Sequence, residues 1–245
     1  ENAMVHLGQL HQEAGDLEEA RTWYQLGAKS GYPPALHRLG DLARISGDPD
    51  EARNCWTRAA EAGDLKSMKH LADMAIDDGD QSVARWWWNR AADAGDVEAV
   101  VALGRQATRA GATEEARGWW DRAAQMGDTR GMVALGAYAL EAGDVERAKT
   151  WFAAAARSGD PAGMSRLGWL AIANEDLETA RTWLTQAFEA GDPSGIVGMG
   201  LLTIMAGDAD HVGRDLLMRG AKAGDPAGWC LLAALAEEVG DTRAG

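Results

Sequence analysis

Histidines at His6, His37 and His70 take nearly equivalent places along this chain, 31 and then 33 residues apart. Imidazoles in register are the first chemistry the sequence offers, that of a metal centre. Ligand atoms must converge to about 2 Å from one ion, whereas helices packed side by side have axes roughly 10 Å apart. Histidines on successive helices are therefore expected to stay apart, and neither a metal nor any other cofactor is expected. H-E-x-x-H, G-x-S-x-G, a phosphate-binding loop and paired C-x-x-C are all missing from the sequence. No carboxylate pair lies in an apolar setting, and no nucleophile has a base beside it in sequence. The expectation is a protein that is not an enzyme.

A row of cations, Arg21, Arg53, Arg85, Arg117, Lys149, Arg181 and Arg214, looks like a track for a polyanion. Each stands on an outward helix flank close to the acidic residues of a first turn, so a solvated, self-paired face is expected instead. The overall balance agrees: 24 Lys and Arg stand against 38 Asp and Glu, a formal charge of -14. That balance argues against nucleic acid or an anionic membrane as the general partner. The most apolar stretch, Ile196 to Ala206, is too short to span a bilayer, and no secretory signal stands at the front. Cys55 and Cys230 are too far apart in the expected array to reach the roughly 6 Å a disulfide needs. A reducing, cytoplasmic compartment is expected.

The elements that carry these residues are set by a clock. Gly-Asp steps recur 32 residues apart at Gly15-Asp16, Gly47-Asp48 and Gly79-Asp80 and return, two periods apart, at Gly143-Asp144 and Gly207-Asp208. A second series, Gly63-Asp64, Gly95-Asp96, Gly127-Asp128, Gly159-Asp160 and Gly191-Asp192, falls midway. Between steps, Ala20, Trp23, Tyr24, Gly27 and Ala28 share one helix face. Ala116, Trp119, Trp120, Ala123 and Ala124 repeat it, as do Ala148, Trp151, Phe152, Ala155 and Ala156. The other half-unit has its own face, Ala35, Leu36, Leu39, Gly40 and Leu42 in one copy. Both halves read as helices, each corner closed by Gly as the left-handed cap and Asp as the next N-cap. Pro49, Pro161, Pro193 and Pro226 occupy first helical positions, where a missing N–H costs nothing. Gly131, Gly163, Gly195 and Gly228 sit inside helices at about 1 kcal/mol each, a cost that close helix approach would offset.

The run A-R-x-W-W-x-R-A-A-x-x-G-D from Ala116 to Asp128, followed by Met132, Leu135 and Gly136, resembles the Sel1-like repeat family, a relative of the tetratricopeptide repeat. The resemblance covers nearly the whole chain. Its pattern is met at Ala99, Leu103, Gly104, Ala116, Trp119, Trp120, Ala123, Ala124 and Gly127. Two departures stand out: the longer connection common in the family is missing, and so are the cysteine pairs of its secreted branch, which argues against a periplasmic location. The resemblance implies an all-α, right-handed α-solenoid of antiparallel helix pairs with a 32-residue period, serving as a scaffold for protein assembly. On that reading residues 1–245 form a single repeat domain, with pairs 1–32, 33–64, 65–96, 97–128, 129–160, 161–192 and 193–224 and a final half-repeat 225–239. A composition rich in Ala, Gly, Arg and Trp fits a bacterial source.

By analogy with tetratricopeptide arrays, a concave groove is lined by first-helix positions spaced i, i+3, i+7 and i+10. The early groove is expected to be charged, offering His37, Arg44, Lys69 and Arg105 to a bound peptide or partner helix. The later groove is expected to be apolar, offering Leu140, Trp169, Ile172, Val197, Leu201 and Ile204. Trp169 is the sharpest residue, because its equivalents are Asp41, Asp73, Arg105 and Ala137 and an exposed aromatic among aliphatics is a typical anchor. Trp86 is expected on the outer surface, whereas Trp23, Trp87, Trp119, Trp151 and Trp183 are expected in the core. The seventh pair, with an extra residue between Gly207 and Arg214 and Leu216-Leu217 in place of aromatics, is expected to be the least rigid. The pattern starts and stops in mid-unit, and Gly240-Asp241 would open a further helix. A regulatory or oligomerisation segment of a larger protein is therefore the alternative, self-associating through ends that carry Leu231 and Leu235.

Overall fold

The computed structural model describes residues 1–207 and 210–241, so Asp208 and Ala209, within the stretch from Gly207 to Arg214 where the seventh pair carries its extra residue, lie outside the described residues. Every described element is a helix. In chain order these are α1 (Asn2–Glu13), α2 (Leu17–Ala28), α3 (Pro33–Ile45), α4 (Pro49–Glu61), α5 (Leu65–Asp77), α6 (Gln81–Asp93), α7 (Val97–Arg109) and α8 (Thr113–Gln125). They continue with α9 (Thr129–Glu141), α10 (Val145–Arg157), α11 (Pro161–Ala173), α12 (Leu177–Glu189), α13 (Pro193–Met205), α14 (Asp210–Lys222) and α15 (Ala227–Asp241). The starts of α3, α5, α7, α9, α11 and α13, at residues 33, 65, 97, 129, 161 and 193, keep the spacing of the Gly-Asp steps. The final helix runs on through Gly240 to Asp241, past the expected end at Val239, so that Gly-Asp step forms no corner.

Corners follow from two residues. Gly47 adopts φ +79°, and Asp48 after it accepts a hydrogen bond from the Glu51 backbone N–H at 2.9 Å, filling one of the donors a helix start leaves open. Asp64, Asp80, Asp96, Asp128, Asp144, Asp160, Asp176 and Asp192 cap their helices in the same way, but Asp16 does not. At one corner the left-handed place is held by Glu175, φ 60°, the single non-glycine with positive φ among the described residues.

The chain forms two compact units, residues 1–116 and 117–245, with the boundary inside α8. Within each, a helix packs on its sequence neighbours, and first helices also touch the next first helix, as α1 does α3 and α11 does α13. That is the packing of an α-solenoid of helix pairs. The joint inside a pair is a socket. A Cβ added to Gly136 would stand 2.4 Å from Phe152 Cε1, one on Gly40 2.5 Å from Trp56 Cδ1, and one on Gly8 2.4 Å from Tyr24 Cε1. The first-helix glycine is therefore the hole into which the second helix drives its large residue. Between pairs it is the backbones that come together, since a Cβ on Gly131 would meet the Trp120 carbonyl oxygen at 2.6 Å.

This socket corrects the expected core. Tyr24, Trp56, Trp120, Phe152 and Leu184 are the buried anchors, while Trp23, Trp119, Trp151 and Trp183, each one residue before an anchor, are only half-buried. A residue one position earlier is rotated by about 100° around the helix, which turns it from the socket to the flank. In α6 the order is reversed, with Trp87 buried and Trp88 half-buried.

Candidate functional site

In the unit 1–116, the expected charged lining divides. Arg44 and Arg105 are exposed. His37 is buried, at 7% exposure, and does not face a groove. The reason is its place on the helix: the i+3 position points along the stack to the N-cap aspartate of the next first helix. His37 Nδ1 stands 3.3 Å from Asp64 Oδ2 and 3.0 Å from Ser67 Oγ, and Lys69 Nζ, one unit on, stands 3.1 Å from Asp96 Oδ2. Lys69 is thus held in an ion pair between repeats. Nothing in the sequence singled out this bolt, although the 27-residue offset from each i+3 residue to its aspartate is constant.

His37 also meets the next histidine. Its ring stacks on His70 with centroids 5.4 Å apart, and His70 stacks in turn on Trp56 at 4.6 Å. Helix spacing does not keep this pair of histidines apart, because the side chains reach across the interval between axes; His6 is exposed on α1 and does not join them. Asp41 bridges the Nε2 edges of the two rings, Oδ2 3.3 Å from His37 Nε2 and Oδ1 3.6 Å from His70 Nε2. Burial works to raise the Asp64 carboxyl, but hydrogen bonds from His37 and Ser67 outweigh it and hold the group down at about 2. Burial pushes the His70 imidazole below its ordinary value despite the attraction of Asp41, and it pushes Asp73 up.

In the unit 117–245, Trp169 lies half-buried in a cleft of about 480 Å³. The indole N–H donates to Ser194 Oγ at 2.9 Å, which fixes the ring plane against the start of α13. Ala162, Ser165, Trp169 and Ser194, all on the expected lining positions, come together here with Arg166 and with the corner residues Asp192, Pro193 and Gly224 to Ala227. The corner residues were not foreseen, since a periodic reading of helix faces does not count the corners between helices. Ser165 bonds Asp192, which also caps α13, so the same bolt recurs.

The remaining apolar positions are less open than expected. Val197 is fully buried, at 0% exposure, and faces α14, where a Cβ added to Gly220 would meet its Cγ2 at 2.5 Å. Leu140 packs against the core of Ala139, Ala148 and Phe152, and Ile172 against that of Ala171, Ala180, Leu184 and Leu202. Ile204 lies over Gly213, where a Cβ would meet its Cγ1 at 2.4 Å. Leu201 is half-buried.

Family patterns match along the chain. The Sel1 repeat matches residues 33–64, 77–96 and 110–128, and tetratricopeptide repeats match residues 1–29 and 133–195. The chain belongs to the Sel1-like, tetratricopeptide-type repeat family. No curated protein matches this Sel1-like chain. Among solved structures it is similar to a protective antigen of uropathogenic Escherichia coli with an SLR fold, at 23% identity and TM-score 0.75, over 97% of this chain but 57% of that one. The chain thus spans little more than half the length of that relative. It is also similar to a Sel1 repeat protein from Oxalobacter formigenes, at 22% identity and TM-score 0.61, over 93% of this chain and 99% of that one. Sel1-like and tetratricopeptide repeats generally serve as non-catalytic scaffolds for protein–protein interaction.

Four cations of the basic row in this Sel1-like array pair with acids. Arg21 meets Glu51 at 3.0 Å and Arg53 meets Asp78 at 2.8 Å, each in the following repeat pair; Arg85 meets Glu115 likewise, and Lys149 pairs with Glu146 on its own helix. Trp86 lies on the outer surface at 51% exposure, edge-on to Trp87 and under Arg90. No described helix is long and apolar enough to cross a membrane.

Proposed function

We propose that this chain is a non-catalytic scaffold that binds a peptide or a partner's helix, and that the cleft around Trp169 in the unit 117–245 receives the ligand's main apolar side chain. The observation that carries the reading is the held indole: Trp169 is accessible, and its ring is fixed by Ser194 rather than free to rotate. A rigid aromatic surface binds with little loss of side-chain entropy, and tryptophans in partly desolvated pockets are the commonest anchors of interfaces. Arg166 on the rim supplies a cation for a carboxylate of the ligand. Leu201, at the equivalent place on α13, extends the apolar surface. Arg44 and Arg105 give the other unit a separate polar contact surface.

A phage-displayed peptide library panned on the whole chain tests this reading. Enriched peptides should carry an aromatic or large aliphatic residue, and their binding should fall at least thirtyfold in Trp169→Ala, about 2 kcal/mol, while Trp86→Ala leaves it unchanged. Selected peptides that bind Trp169→Ala as well as the parent would overturn the assignment.

A further inference from the structure

We propose that His37, His70 and Asp41 of the unit 1–116 form a binding site for a divalent transition-metal cation of the zinc class. The candidate ligand atoms all lie within 4.8 Å of one another. A tetrahedral ion with bonds of about 2.0–2.1 Å sets neighbouring ligand atoms about 3.3 Å apart. Asp41 Oδ2 is 3.3 Å from His37 Nε2 and Asp41 Oδ1 is 3.6 Å from His70 Nε2, so each imidazole is already near that separation from the carboxylate.

The hydrogen bonding of the cluster is incomplete without a cation. The Asp64 carboxylate and Ser67 hydroxyl at 3.3 and 3.0 Å hold the proton of His37 on Nδ1. Nε2 then turns its lone pair toward Asp41, acceptor facing acceptor. Asp41 Oδ1 is buried without a hydrogen-bond partner, and the Arg38 guanidinium stays 3.7 Å from Oδ2, beyond hydrogen-bonding length. A proton on His37 Nε2 would serve Oδ2 alone and leave Oδ1 orphaned. One divalent ion serves both imidazole nitrogens and the carboxylate together. The surroundings match what metal histidines need: Asp64 orients His37 through its other nitrogen, and Trp56 stacks on His70 and fixes its ring. Two imidazoles select zinc, cobalt, nickel or copper over magnesium or calcium, and three protein ligands leave a fourth position for water.

The test uses the full chain without a histidine tag, stripped with a chelator and titrated with Co²⁺ by visible absorption and with Zn²⁺ by calorimetry. One equivalent of each should bind, Co²⁺ with the strong d–d absorption of a tetrahedral ion. His70→Ala, at a half-buried position, should abolish binding. Asp64→Asn keeps an N-cap residue and should weaken binding 10- to 100-fold. A chain carrying His6→Ala, His11→Ala and His211→Ala together should bind as the parent does. Absence of the tetrahedral spectrum, binding that survives His70→Ala, or binding lost from the triple variant would each overturn the site.

Discussion

Replacing Gly136 by alanine should destabilise the protein, whereas the same replacement at Gly118 should stabilise it. Both glycines lie inside helices, so alanine gains about 1 kcal/mol of helix propensity at each. At Gly118 a new Cβ meets nothing within 4 Å, and that gain stands alone. At Gly136 the Cβ would sit 2.4, 2.7 and 2.8 Å from three atoms of the Phe152 ring. Phe152 is fully buried and packed against Ala139 and Ala148, so it has no free volume to retreat into. Overpacking of this kind costs typically 1–3 kcal/mol, and a clash at three ring atoms belongs at the upper end, leaving a net loss of about 1–2 kcal/mol. With a shift of about 2–4 °C per kcal/mol for a chain of this size, melting followed by circular dichroism should fall by about 2–8 °C for Gly136→Ala and rise by about 2–4 °C for Gly118→Ala. Equal shifts of the same sign would refute the socket account of the repeat.

Other corners and caps give sharper single tests. Glu175→Gly removes a left-handed non-glycine residue and should stabilise by about 0.5–1 kcal/mol in urea titration; a loss would mean that Glu175 makes a compensating contact. Asp128 caps α9 and is bonded by the Arg130 guanidinium, which holds its carboxyl below the ordinary 3.8. Its contribution is therefore complete above that ordinary value and is lost as the pH falls through the lower folded one. Asp128→Ala should cost about 1 kcal/mol at pH 7, and the gap in urea midpoint from the parent should close in strong acid; a gap independent of pH contradicts the charge assignment. Cys55 is buried and burial pushes its thiol up, whereas Cys230 is exposed, so a thiol reagent should label Cys230 alone until denaturant is added.

Helices and corners were legible because they rest on local rules: Gly47 and Asp48 need no knowledge of the rest of the fold. The departure of Trp169 from its equivalents was legible for a related reason, since a fixed period shows which residue differs; that it lines a cleft is a fact of the structure. What the period does not carry is the direction of a side chain along the stack. His37 and Val197 are both expected as lining, but His37 turns toward the next first-helix start at Asp64 and Val197 turns onto Gly220 of α14, both tertiary facts. The meeting of His37 with His70 was hidden for the same reason: axis spacing bounds the backbone and not the reach of two imidazoles. The edge of the Trp169 cleft at Gly224 to Ala227 comes from corner residues that face-counting passes over.

The most direct test of the interaction surface is the indole N–H resonance of Trp169, identified by its loss in Trp169→Phe, during titration with a selected peptide. The cleft reading predicts that this signal shifts or broadens in step with binding while that of Trp86 stays in place. A Trp169 signal that remains unmoved at saturation would contradict it.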